Sequence, residues 1–209
     1  MKSVLISIQP KWCELIASGE KTVEVRKTKP KIETPFKCYI YETQGRTETP
    51  WIDEDGHEIF KGRGQVIGEF VCGRFTFLDA YYDTNGIRHL CNTAFVKSCV
   101  PDDELFDYLY GKYEKKHGGW AWHISDLVIY DKPKELSEFR TPCKMTEGSC
   151  YFCDYAVHGM DGDLIDCNTS LTRPPQSWCY VEEILPPLVE PKGKTITIPK
   201  WTYDEHKGE

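Results

Sequence analysis

The stretch SGEKTVEVRK, Ser18 to Lys27, sets an ammonium, a carboxylate and a guanidinium close together at Lys21, Glu24 and Arg26. The segment TVEVR alternates as a half-buried strand does, with Val23 and Val25 on one face and Thr22, Glu24 and Arg26 on the other. Lys21 stands where that strand begins. In a cleft, the two cations would donate to a phosphate or a base carbonyl. Glu24 would accept from an exocyclic amine, as carboxylates do with cytosine, or hold a water as general base. A carboxylate beside a lysine favours the ammonium, so the trio suits binding better than a lysine base. Gln9 and Trp12, just upstream, add an amide and a stacking ring, and Trp122 and Trp178 are further stacking candidates. The competing reading is a solvated strand face whose ion pairs are worth about 0–1 kcal/mol. In that reading Trp12 packs in a helical stripe, and one of Trp120 and Trp122 is simply core.

A second constellation lies in CKMTEGSCYFCDYAVHGMDGDLIDC. Cys143, Cys150, Cys153 and Cys167 are spaced Cys-x6-Cys-x2-Cys-x13-Cys. The Cys150-x-x-Cys153 pair makes two thiolates converge on one ion, and four such ligands form a closed tetrahedral zinc site; His158 can replace one of them. The segment is poor in aliphatic residues, and bound zinc would supply about 10–16 kcal/mol, as in isolated zinc fingers. An iron–sulfur cluster takes the same number of ligands. A redox pair at Cys150 and Cys153, or four free thiols on a polar loop, are the metal-free alternatives. The other cysteines, Cys13, Cys38, Cys72, Cys91, Cys99 and Cys179, are scattered and read mostly as small buried residues.

The elements that would position these groups are well marked. VLISI, Val4 to Ile8, is a strand. Pro10 opens a helix whose buried stripe is Trp12, Leu15 and Ile16, and Gly19 stops it. Further strands read at Phe36–Thr43, Gln65–Phe70, Trp120–Tyr130 and Ser177–Ile184, with a hairpin around Asp55 and Gly56. PDDELFDYLYGKYEKKHGG starts with Pro101 and acidic residues and ends in lysines and glycines, with Leu105, Leu109 and Tyr113 on one face. It is an amphipathic helix. After Leu185 the chain reads as a linker and a tail with one short strand, Thr195–Ile198. GKTITI in that tail imitates the lysine–threonine motif but lacks the preceding helix. Short strands with two helices predict an α+β fold built on a small, mostly antiparallel barrel or curled sheet.

Composition narrows the function classes. The chain has 209 residues, is 40% hydrophobic and carries a formal net charge of -7. That charge opposes broad affinity for nucleic acid. Residues 1–37 nevertheless hold eight basic residues against four acidic ones, so a local basic face is open to the fold. No run of eighteen apolar residues is present to span a membrane. The first residues lack a secretory pattern, so a cytoplasmic protein with reduced thiols is expected despite ten cysteines.

SIQPKWCELIASGEKTVEVR resembles the start of the ASCH family, the ASC-1 homology domains, whose small β-barrel is PUA-like. The family pattern is strand, helix, then Gly-x-Lys-x-x-Glu-x-Arg, met here by Gly19, Lys21, Glu24 and Arg26. The likeness runs on through GQVIGEF and GWAWHISDLVIYDKPKELSEF, covering roughly residues 3–140, and resumes at RPPQSWCYV. The cysteine-bearing insertion brings it nearest to phage and bacterial members. The resemblance implies a PUA-like barrel with two flanking helices at 1–142, a cysteine-rich metal-knuckle insertion at 143–168, the final barrel strand at 169–185 and a C-terminal tail at 186–209. It further implies binding of RNA or a modified nucleoside in a cleft lined by Lys21, Glu24 and Arg26, with Gln9, Trp12, Thr22 and Trp122 as added ligand contacts. One bacterial branch is an amidohydrolase that cleaves N(4)-acetylcytidine, using a Lys-Thr-x-Thr-x-Arg motif with the lysine as proton acceptor and the second threonine as nucleophile. Lys21, Thr22 and Arg26 match that motif. Glu24 replaces the nucleophile, which leaves Lys21 and Glu24 as the catalytic candidates and Glu104 as the candidate acidic donor. A non-catalytic protein-interaction or phage accessory module is the remaining alternative.

Overall fold

The computed structural model describes residues 2–44, 51–52, 58–59, 62–111, 118–142, 156–158, 164–167, 170–183 and 193–196. In chain order the elements are β1 (Ser3–Ile8), α1 (Pro10–Ala17), β2 (Val23–Arg26), β3 (Phe36–Glu42), β4 (Trp51–Ile52), β5 (Glu58–Ile59), β6 (Val66–Tyr82), β7 (Arg88–Cys91), α2 (Asp102–Tyr110), β8 (Gly119–Lys134), β9 (Phe139–Arg140), β10 (Ala156–His158), β11 (Leu164–Cys167), β12 (Trp178–Glu183) and β13 (Gly193–Ile196). A 3₁₀ turn at Thr93–Ser98 precedes α2.

The fold is α+β, with two helices on one mixed sheet. Nine strands run in the order β13-β8-β6-β3-β1-β12-β9, with β2 added to β8 and β7 to β6. β1 and β3 pair in parallel, because α1 and β2 form the crossover between them, and the other pairs are antiparallel. The expected closed barrel is not formed: among the described residues no ladder joins the β2 and β13 edge to β9, and the sheet stays open. β2 approaches β1 without pairing to it, because β12 and β3 already flank β1.

β6 and β8 are far longer than the expected Gln65–Phe70 and Trp120–Tyr130 segments. Their ladder shifts register three times, between Val66 and Gly68, Glu69 and Val71, and Cys72 and Phe75. Such shifts bend a strand without ending it. Gly68 sits at one of them, where an added Cβ would lie 2.4 Å from the Val128 carbonyl oxygen.

The buried residues form three clusters. The first joins β1, α1, β3, β6 and β8 through Ile6, Ile16, Ile40, Phe70 and Trp122. The second lies on the other face of β2, where Val23 and Val25 meet Leu105, Phe106 and Leu109 of α2. The third gathers Leu5, Tyr39, Phe139 and Val181. α1 opens on Pro10 and ends where Gly19 takes a φ of 82°, its N–H donating to the Ile16 carbonyl. α2 carries Asp102, Asp103 and Glu104 in its first turn, where acidic residues complement the helix dipole. No helix among the described residues is long and apolar enough to cross a membrane.

Cys143, Cys150 and Cys153 lie outside the described residues, and Cys167 is described only as the end of β11. The described part of that region is a two-stranded antiparallel ladder, β10 with β11. Elsewhere, among the described residues, no three His, Cys, Asp or Glu side chains cluster as metal ligands. The tail strand falls at Gly193–Ile196, not Thr195–Ile198, and joins β8.

Candidate functional site

The end of β1, the start of α1, β2 and α2 enclose a cavity of about 200 Å³. Lys21, Glu24 and Arg26 all line it, together with Ser7, Gln9, Trp12, Glu104 and Tyr108. The alternation of β2 places Glu24 and Arg26 opposite the face that Val23 and Val25 bury against α2.

The three charged groups are joined through the carboxylate. Lys21 Nζ lies 3.2 Å from Glu24 Oε2, and Arg26 Nη2 lies 3.1 Å from Glu24 Oε1. Lys21 is 1% exposed and Glu24 6%. This is not the solvated strand face that spacing alone would allow. Lys21 Nζ also donates to the Ser98 carbonyl at 2.6 Å, and Arg26 Nη2 donates to the Ser7 carbonyl. Each cation is thus held by one carboxylate oxygen and one backbone carbonyl.

The arrangement leaves specific valences open to a guest. A carboxylate has about four lone-pair positions, and two of Glu24's are engaged by the cations. Arg26 Nε, by contrast, is fully buried and has no hydrogen-bond partner among the described residues. An unmet buried donor costs about 1–3 kcal/mol. Trp12 forms part of the wall: it is half-buried against the first core cluster, with Lys21 Nζ 5.2 Å from its ring and Lys11 Nζ 4.4 Å away. The trio carries one net positive charge, and Glu104 adds a carboxylate from the first turn of α2.

Two other sequence candidates are placed elsewhere. Trp122 is fully buried in the first cluster, against Phe36, Phe75 and Trp178, and presents no stacking face to the cavity. It packs where its cross-strand partner Glu24 turns inward. Thr22 precedes the first residue of β2, so strand alternation does not govern it. It lines a separate cavity of about 150 Å³ with Thr76, Arg74, Lys97 and His123. There Thr76 Oγ1 and His123 Nε2 are hydrogen-bonded at 2.8 Å. Burial, with a smaller contribution from Arg74, pushes His123 down to about 4.

Sequence reasoning missed the two carbonyls that fix the cations. Ser98 comes from the 3₁₀ turn, which Asn92 caps by accepting from the Ala94 N–H. Asn92 marks the start of that turn in the sequence, but nothing local signals its contact with Lys21, 77 residues away. Ser7 lies one residue beyond the last β1–β12 pair, Ile6 with Trp178, and its carbonyl meets Arg26. Tyr108, 39% exposed on α2, was also missed; Lys27 Nζ lies 5.5 Å from its ring.

Comparison with known proteins bears on the family. No curated protein matches the chain. Among solved structures it is similar to ASCH from Zymomonas mobilis, at 17% identity and a TM-score of 0.47, over 86% of this chain and 87% of that one. A tyrosine-to-phenylalanine mutant of the Zymomonas mobilis protein matches at the same identity and TM-score, over 87% and 91%. The family model of the ASCH domain matches residues 6–134, which include both helices, the cation–carboxylate trio and the whole of β6 and β8. The chain belongs to the ASCH domain family.

Proposed function

We propose that the cavity binds a nucleobase, presented by RNA or as a modified nucleoside, with Glu24 as its central acceptor. The observation that carries this reading is a buried carboxylate pinned by a different cation on each oxygen, at the wall of a cavity. Glu24 accepts from an exocyclic amine in the way carboxylates read cytosine N4. Arg26 and Lys21 supply donors for a carbonyl or phosphate oxygen on the same guest. A cavity of about 200 Å³ is smaller than the usual drug-sized site. It suits one ring rather than a duplex.

The test is titration with cytidine, N(4)-acetylcytidine and short single-stranded RNAs, using the wild type and Glu24→Gln. Loss of a hydrogen bond to a charged group costs about 1.5–3 kcal/mol, or roughly 10- to 150-fold in affinity. Equal affinities for the two proteins would sink the assignment of Glu24.

A second reading is supported by the position of Glu104 in the lining of the same cavity. The protein would then be an amidohydrolase acting on acylated cytidine. Glu24 would take a proton from water, the oxygen would attack the acyl carbonyl, and the carbon–nitrogen bond would break. Glu104 would protonate the departing amine, giving cytidine and acetate. Absence of acetate release from N(4)-acetylcytidine under turnover conditions would reject this substrate.

We also propose that Cys143, Cys150, Cys153 and Cys167 hold a structural zinc ion. Their number and the Cys-x-x-Cys knuckle support it.

A further inference from the structure

We propose that Phe77, Trp120 and Lys29 form a second nucleotide subsite beside the cavity, so that the ligand is a segment of single-stranded RNA rather than a free nucleoside. This rests on reading the cavity as a base-binding site. The three strands β2, β8 and β6 carry two parallel rows of side chains on one face. Glu24 pairs with Trp122 and Trp122 with Phe75; Arg26 pairs with Trp120 and Trp120 with Phe77. Residues directly opposite in a ladder share a face and touch. The first row is buried at Trp122, whereas the second opens to solvent, with Phe77 48% exposed. Arg26 lines the cavity, so the second row leads from it onto an aromatic surface. Two interstrand spacings of about 4.8 Å separate Arg26 from Phe77. That span of about 10 Å is roughly three rises of a nucleic acid strand.

The aromatic surface is held in place. Phe77 and Trp120 pack at 5.2 Å between centroids and 65° between planes. Gly118 backs the Phe77 ring so closely that an added Cβ would lie 2.8 Å from Phe77 Cζ. Lys29 Nζ stands 4.0 Å from the Trp120 centroid and 5.2 Å from that of Phe75. An exposed cation–π contact is worth about 0.5–1 kcal/mol, so Lys29 can exchange the ring for a phosphate at little cost. A fixed exposed ring flanked by cations is what sequence-tolerant single-strand binding uses. Protein interfaces, in contrast, are depleted in lysine. Asp79, next along β6 on this face, ends the track in repulsion for a phosphate.

The experiment compares the full-length wild type with Phe77→Ala, Phe77→Trp, Lys29→Ala and Glu24→Gln, binding cytidine and single-stranded hexacytidylate. The wild type binds the hexamer more tightly than cytidine. Phe77→Ala weakens the hexamer by about 5- to 150-fold, the value of one stacked base, without changing cytidine affinity, and Phe77→Trp restores it. Lys29→Ala lowers the slope of log affinity against log salt by about 0.7, the single-strand value for one phosphate. Unchanged hexamer affinity in Phe77→Ala, or a wild type that binds hexamer and cytidine alike, overturns the subsite even if Glu24→Gln loses both ligands. An effect of Phe77→Ala with none from Glu24→Gln would keep the stacking surface and remove the cavity reading.

Discussion

Replacing Glu24 by glutamine keeps the side-chain shape and removes the one negative charge between Lys21 and Arg26. At an effective dielectric near 20, each contact of just over 3 Å is a gross attraction of about 5 kcal/mol. Desolvation of the ions offsets most of this, and removing one partner of a buried pair costs about 3–5 kcal/mol net, because the remaining charge stays buried. Two cations remain here, so the upper half of that range applies. With a urea slope of about 2 kcal/mol per molar, the midpoint of unfolding falls by about 2–2.5 M, read from tryptophan fluorescence. A domain in the middle of the usual range, with about 10 kcal/mol of stability, stays folded in water after this loss.

The substitution also raises the net charge of the trio from one positive charge to two. Without the carboxylate, Lys21 and Arg26 have only a neutral carboxamide between them, so the neighbouring cavity attracts a small anion more strongly. Sulfate at fixed ionic strength should therefore raise the midpoint of Glu24→Gln more than that of the wild type. A solvated ion pair predicts a loss of at most about 1 kcal/mol, or about 0.5 M, and no sulfate preference. A midpoint shift that small with an unchanged slope would refute the claim that the three groups form one buried unit.

Three further outcomes follow from other parts of the molecule. His123 is pushed down to about 4 from an ordinary 6.5 by burial and by Arg74, with Lys97 lining the same cavity. The unfolded chain then takes up this proton first as the pH falls, so the contribution is intact above about 6.5 and is lost progressively towards 4. Urea midpoints between pH 7.5 and 4.5 should fall less for His123→Gln than for the wild type, and equal falls would exclude His123 as a source. Among the described cysteines, Cys91 is exposed while Cys13, Cys38 and Cys72 are buried, with their thiols pushed up by burial. Mass mapping after brief alkylation should find Cys91 modified and those three untouched until urea is added. The zinc proposal requires about one zinc ion per chain by elemental analysis after reducing purification, lost in Cys150→Ser; a metal-free wild type would reject it.

The first twenty-six residues were the most legible part of the fold. Apolar β-branched residues, a proline at the start of α1, a glycine after it and a strict alternation all act locally. Lys21 was placed beside Glu24 by that local logic, but its burial was not, because the Ser98 carbonyl that holds it is 77 residues away in sequence. Thr22 was misassigned to the Glu24 face because the strand begins only at Val23. Trp122 was one of the stacking candidates, and nothing local in the sequence shows that it is fully buried. The strand expected at Gln65–Phe70 stops short of residues 71–82, where Gly73, Arg74 and Thr76 interrupt the apolar pattern. In the folded chain they lie in β6, which continues through the irregular register between Cys72 and Phe75.

The open sheet and the cavity are two aspects of one arrangement. Pairing β2 directly to β1 would bring their backbones to about 4.8 Å and leave no volume between them. β1 is instead saturated by β3 on one side and by β12 as far as Ile6 on the other. Past that point the Ser7 N–H donates to Ser177, and its carbonyl accepts from the Arg26 guanidinium. A side chain thus spans the gap that a ladder would have closed, and Glu24 holds that side chain in position. The same geometry makes the proposed nucleic acid ligand compatible with a chain of net charge -7. The cationic groups need act only over the width of this gap, since charges beyond a Debye length of about 8 Å are screened at physiological salt.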